Sequence, residues 1–197
     1  MSTKIEVKNG FINYISELVC LKDYNYNRKN SFTKSINKEK FFIRYEFFGS
    51  GVISATVYFG VRVVDIEKRL KNLPFSNFLG KSNAKETIFQ KFNVIVRNFK
   101  NEIVPSFYNA LSDMELQANI LCRFIGEIEK IFANKNSLAI YALTDNSLPL
   151  GHHAFRVPFL LMDVGMHVEC EKYMEKVITK DFIENYDEFR RQFYQSY

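Results

Sequence analysis

A chain of 197 residues with a 47% hydrophobic fraction is long enough for one domain with a sizeable core, which excludes a disordered or fibrous protein. Its net charge of +5 is too small to make polyanion binding the default reading, and three widely spaced cysteines (Cys20, Cys122, Cys170) form neither a metal-binding pattern nor a disulfide framework. The most apolar stretch, Phe155–Met162, is broken by Arg156 and Pro158 and is too short to span a membrane.

The opening residues carry Glu6 and lack the apolar run of a secretory signal. A cytoplasmic protein with reduced, buried thiols is therefore expected. Heavy use of Asn, Lys, Ile, Phe and Tyr points to an AT-rich bacterial genome. With 20 Phe and no Trp, phenylalanine should dominate the core.

In chain order, Val7, Phe11, Tyr14, Leu18 and Leu21 recur at helical intervals, and Thr3 and Glu6 have capping-box spacing. They predict a first helix over Lys4–Leu21. Asp23–Asn30 reads as a polar turn, and Ser31–Ile36 as a short strand with Phe32 and Ile36 on one face. Phe41–Val63 is two β-rich runs joined by Gly49-Ser50-Gly51. Its odd positions (Phe41, Ile43, Tyr45, Phe47, then Ile53, Val57, Phe59, Val61) are apolar, and its even positions are mixed. Only a three-residue loop puts both odd sets on one face, because a one-residue slip reverses every side chain.

Asp65 is placed to cap a short helix with Ile66, Leu70 and Leu73 inward, stopped by Pro74. Ile88, Phe92, Ile95, Phe99 and Ile103 then recur at helical spacing. A helix is expected there, and a strand over Thr87–Val96 is the competing reading. Ser112 and Glu115 form a second capping box before a long helix, Asp113–Asn134, with Leu116, Ile120, Phe124, Ile128 and Ile131 on one face. Leu138–Leu143 is read as helix. Pro158 should start a short helix that Gly165 ends at positive φ. Helices over Val168–Ile178 and Asp181–Gln195 complete the chain, the last burying Phe182, Tyr186, Phe189 and Phe193. The expected fold is α+β: an N-terminal helix on a three-stranded antiparallel meander, followed by a mostly helical C-terminal half. Residues 1–197 are expected to form a single domain, with subregions 1–83 and 84–197 and the helical half covering the odd face of the sheet.

Charge is unevenly distributed. Seven basic residues face two acids between Lys22 and Arg44, whereas Asp163–Glu188 holds eight acids against three lysines. Arg28, Lys29, Lys34, Lys38, Lys40 and Arg44, interleaved with Tyr26 and Tyr58, form a candidate surface for a protein partner or for nucleic acid, with cations on phosphates and rings on bases. The plainer reading is a solvated face whose lysines discourage edge-to-edge strand pairing. His152, His153 and His167 are of metal-binding type, but adjacent histidines diverge and the spacing matches no known ligand pattern, so a polar loop is the simpler account. No nucleophile elbow or phosphate-cradling glycine loop is present, and no cofactor is expected. Cys20 and Cys122 sit in apolar helical patterns, and Cys170 lies among acids that oppose its ionisation.

The order of helix, YNYNRKNSF turn, meander and helical half, with EIVPSFYNALSDMEL and FRVPFLLMDVGMHVECEKYMEKV in the latter, resembles a group of small bacterial domains of unknown function that includes immunity-like proteins of toxin systems. The resemblance implies a cytoplasmic binding protein whose partner is another protein, and it carries no catalytic motif. The expected function is thus a non-enzymatic protein-binding module, immunity-like or regulatory. The alternatives are nucleic-acid binding through the basic meander 22–44 and a metal-dependent enzyme using the histidines.

Overall fold

Side-chain alternation builds the sheet. The computed structural model describes residues 9, 12, 13, 16–27, 31–37, 39–48, 52–75, 87–98, 111–144, 153–181 and 185–197. Strands β1 (Asn25–Asn27), β2 (Ser31–Ile36), β3 (Glu39–Phe48), β4 (Val52–Arg62) and β5 (Ile88–Asn98) form one antiparallel sheet in chain order. Phe41, Ile43, Tyr45, Val57, Phe59 and Val61 are each at most 1% exposed, while Arg44, Glu46, Tyr58 and Arg62 are half-buried. The odd face is therefore the core face. Strand β3 stops at Phe48 and β4 resumes at Val52, at the bounds the three-residue loop requires; the loop itself lies outside the described residues. Between β2 and β3, Asn37 takes the left-handed place in the turn at φ 48°, a conformation that asparagine tolerates better than most residues.

The sheet has five strands where three were expected, and both additions correct the sequence reading. Asn25–Asn27 was read as turn, yet it pairs antiparallel with β2, Tyr26 opposite Phe32. Over Ile88–Asn98, where a helix is the expectation and a strand over Thr87–Val96 the competing reading, the chain is a strand. Four of its six even positions, Ile88, Phe92, Val94 and Val96, are apolar, with Gln90 and Asn98 the exceptions, and its odd positions include Lys91, Asn93 and Arg97. That period-two pattern coexists with the helical one, and the β-branched residues favour the extended chain. Half of the helix expected over Lys4–Leu21 lies outside the described residues; Asn9, Ile12, Asn13 and Ser16 are helical, and at its end Val19–Leu21 is a single 3-10 turn.

Among the described residues the helical elements include α1 (Val64–Asn72), α2 (Leu111–Phe132), α3 (Lys135–Thr144), α4 (Val157–Asp163), α5 (His167–Lys176) and α6 (Tyr186–Gln195), with a π-helical turn at Val177–Asp181. Asp65 does not cap α1, since it lies within the first turn and no side chain of Val63, the capping residue, can bond. The free N–H of Val64 is instead taken by Glu39 Oε2 at 2.9 Å, a cap supplied from β3. Ser112 likewise lies inside α2. Among the described side chains of α2, Ile125, Ile128 and Phe132 are buried, while Phe124 and Ile131 are only half-buried; Leu116 and Ile120 lie outside them. Helix α4 begins with Pro158 near its N-terminus and closes as a Schellman motif. Met166 N–H reaches Leu161 O at 2.9 Å, Gly165 N–H reaches Met162 O at 3.0 Å, and Gly165 stands at φ 76°.

The chain falls into two compact units, Met1–Ser35, Phe41–Phe59 and Gln90–Lys130 in one and Ile36–Lys40, Gly60–Phe89 and Ile131–Tyr197 in the other. They are not the subregions 1–83 and 84–197, because each draws on both. In the second unit, α4 packs on α3 and α5, and a phenylalanine cluster fills the interior. Phe155 lies 5.1 Å from both Phe75 and Phe189, and Phe159 lies 4.8 Å from Phe193. Phe75, Phe159, Phe189 and Phe193 are at most 1% exposed, so aromatic packing carries this core. Phe182 is outside the described residues.

Gly165→Ala should isolate the cost of the left-handed residue, because an added Cβ meets nothing within 4 Å. The expected loss is about 1 kcal/mol in a urea titration with an unchanged slope. An unaltered midpoint would show that the turn relaxes without strain.

Candidate functional site

Electrostatics decides which of the candidate residues remain available to a ligand. Lys34, on β2, donates to Glu129 Oε1 of α2 at 2.8 Å and lies 3.5 Å from Asp23. Tyr24 Oη donates to the other oxygen, Oε2, at 2.9 Å, and the ammonium sits 5.4 Å from the Tyr24 ring centre. The bond to Glu129 raises the Lys34 pKa against the opposing effect of burial. Burial first, and Glu129 second, push the Tyr24 phenol upward. Lys34 is thus an internal counter-ion to Glu129 and Asp23.

Arg44, on β3, is held in the same way. Its guanidinium donates to Glu46 Oε1 at 2.7 Å and stacks 4.4 Å from the Tyr58 ring centre, and Tyr58 Oη donates to Glu46 Oε2 at 3.1 Å. Tyr26 is 45% exposed and lies against Phe32 with ring centres 5.2 Å apart. Lys40 is exposed on β3. Arg28, Lys29 and Lys38 are outside the described residues, as is His152. The basic strand that looked continuous in sequence is therefore partly neutralised by carboxylates from β3 and α2.

The histidines do not build a metal centre among the described residues, where no group of three His, Cys, Asp or Glu comes together. His153 is buried, and its carbonyl accepts Arg156 N–H at 2.9 Å. His167 is exposed at the start of α5, with Nδ1 3.2 Å from Met162 Sδ.

Two features escaped the sequence reading. Arg156 is buried and bonds Glu67 of α1 through Nε at 2.9 Å and Nη2 at 3.2 Å. Thr87 Oγ1 donates to the same carboxylate at 2.7 Å and accepts Val63 N–H at 2.9 Å. A charged residue inside the apolar run Phe155–Met162 was the available signal, since a buried guanidinium requires a carboxylate partner. The second feature is a disulfide between Cys20 and Cys122, with Cα atoms 5.2 Å apart, which corrects the expectation that all three thiols are reduced. It also removes the support those thiols lent to a cytoplasmic location. Cys170 is a buried free thiol pushed up to about 12, chiefly by burial and only secondarily by Glu171.

The acidic tail is likewise compensated. Asp163 pairs with Arg69 at 2.7 Å and Lys135 at 3.3 Å, Glu171 and Glu175 pair with Arg190, and Glu188 pairs with Arg191. An open groove of about 520 Å³ runs between Leu73–Pro74 and the face of α6 that carries Glu188, Arg191 and Gln192. The bonded Glu188–Arg191 pair leaves it without a net local charge.

Helix α3 stands apart from these compensated faces. It has no charged residue from Asn136 to Thr144. Leu138, Ala139 and Ala142 are buried, whereas Ile140 is 51% exposed. Among the described residues no helix is long and apolar enough to cross a membrane. Compared with protein-family models, curated proteins and solved structures, the chain matches none.

Breaking the buried pair by Glu67→Gln should cost about 3–5 kcal/mol, since it removes the carboxylate charge to which the buried Arg156 guanidinium donates. The double replacement Glu67→Leu with Arg156→Met should recover most of that loss in chemical denaturation. Equal losses for the single and double variants would mean that the pair contributes through packing alone. For Cys170, a thiol at about 12 is ionised to only about one part in ten thousand at pH 8. Iodoacetamide should therefore label it only on unfolding, as read by intact mass.

Proposed function

We propose that this chain is a non-enzymatic protein-binding module whose contact face is the outer side of α3. The observation that supports the reading is an uncharged surface helix with an aliphatic side chain in water. A helix on a protein surface ordinarily turns charged residues outward. From Asn136 to Thr144 there are none, and Ile140 occupies the outward position. Interface cores are depleted of charge, because each ion removed from water must be compensated by the partner. Docking on this face requires no such compensation.

Protein is favoured over nucleic acid because a polyanion needs cations to release its counterions. Lys34 and Arg44 already hold carboxylates at 2.8 and 2.7 Å. Engaging phosphate would leave Glu129 and Glu46 without those partners. An immunity-like or regulatory role, in which the chain sequesters another protein, is the form this reading takes.

A photo-reactive amino acid at position 140 should give a single defined adduct in the native host, and one at exposed Lys172 should not. Calorimetry with the purified partner should then show at least a tenfold weaker affinity for Ile140→Asp at an unchanged melting temperature. Equal affinity for the variant would sink the proposed face. Loss of a dimer on Ile140→Asp would identify the partner as a second copy. Titration against single- and double-stranded RNA and DNA at low salt should be flat, and binding that weakens steeply with salt would transfer the assignment to nucleic acid.

A further inference from the structure

We propose that the Cys20–Cys122 disulfide is a redox-sensitive lock, opened by external thiols, that holds Val19–Tyr24 on helix α2. Two connections join these parts. The covalent one links the 3-10 turn Val19–Leu21 to α2 across 102 residues of sequence, with a Cα separation of 5.2 Å. The second is polar. Glu129 lies two helical turns beyond Cys122 and so faces the same side of α2. It accepts Tyr24 Oη at 2.9 Å and Lys34 Nζ at 2.8 Å. Without the disulfide, the turn before β1 is held to Glu129 by polar bonds that compete with water, and part-exposed ion pairs contribute little, whereas β1 and β2 stay paired in the sheet.

The bond is also open to exchange. Cys20 and Cys122 are both half-buried and not sealed in the core, so an incoming thiolate can reach the sulfurs. The third cysteine cannot act as that thiolate. Cys170 is buried, its thiol faces Pro158 O at 3.6 Å, and burial suppresses its ionisation. The reductant must therefore come from outside, as a small dithiol or a dithiol protein. One of its thiolates attacks Cys20 or Cys122 and expels the other as thiolate. Its second thiol then resolves the mixed disulfide. Two electrons and two protons pass to the protein, which gains two thiols, and the reductant leaves as its disulfide. Oxidising surroundings keep the lock closed and a thiol-rich compartment opens it.

Hydrogen exchange on the full chain, before and after treatment with dithiothreitol, tests the proposal. Peptides covering Val19–Tyr24 should exchange at least tenfold faster after reduction, while peptides from β2, α4, α5 and α6 remain unchanged. Removing the reductant under air should restore the original pattern. The Cys20→Ser, Cys122→Ser double variant should reproduce the reduced pattern and resist further change with dithiothreitol. Unchanged exchange on reduction would make the disulfide a bystander. Uniform acceleration of all peptides would make it a global staple and overturn the lock. Two alkylatable thiols at Cys20 and Cys122 in protein isolated under air would show that the bond does not form, and would overturn it directly.

Discussion

The buried Arg156–Glu67 pair is the constraint around which the second unit is arranged. One carboxylate accepts two guanidinium N–H groups and the Thr87 hydroxyl, and Thr87 in turn accepts Val63 N–H. The start of α1, the entry to β5 and the approach to α4 therefore converge on a single charged group. Desolvating two ions consumes most of what their attraction returns, so the pair adds little net stability. What it supplies is intolerance of error. If any of these elements shifts by one residue, a buried charge loses its partners. The phenylalanine cluster beside it is adaptable by comparison, because aromatic contacts tolerate a range of angles. The observed interplanar angles run from 37° for Phe189–Phe193 to 84° for Phe155–Phe189.

In the first unit Glu129 plays a comparable part, but it is only partly withdrawn from water, its side chain being 21% exposed. Tyr24 and Lys34 meet at its carboxylate, and the disulfide two turns away on the same helical face adds a covalent restraint to a polar one. The contrast is physical. A buried ion pair enforces geometry through the penalty of losing it, whereas a part-exposed pair can exchange for water and needs help to hold a segment in place.

The same pairing reshapes the functional reading. Counted along the chain, the molecule has a basic segment and an acidic one. In three dimensions Asp163, Glu171, Glu175 and Glu188 are met by Arg69, Lys135, Arg190 and Arg191, all from outside the segment 163–188, and Lys34 and Arg44 are met by Glu129 and Glu46. Charge separation thus offers less to a partner than the sequence implied. The uncharged outer side of α3 offers more, because no ion must be stripped of water when it is covered. The proposal of a protein partner therefore rests on a different surface from the one that first motivated it.

Much of the fold was legible because it depends on local periodicity. Alternation from Phe41 to Val63 set the core face and the loop length of the hairpin, and Pro158 and Gly165 marked the ends of α4 through their backbone restrictions alone. Tyr186, Phe189 and Phe193 declared the buried stripe of α6. Where two periods fitted one stretch, as in Ile88–Asn98, the choice belonged to the neighbouring strand that supplies hydrogen bonds. The identity of charge partners was not legible at all: Arg156 finds Glu67 at a separation of 89 residues, Lys34 finds Glu129 at 95, and Cys20 finds Cys122 at 102. A side chain's own sequence announces its need for a partner, by charge in an apolar run or by a lone thiol. Which residue answers that need is settled only when folding brings distant segments within about 3 Å, the range over which hydrogen bonds act.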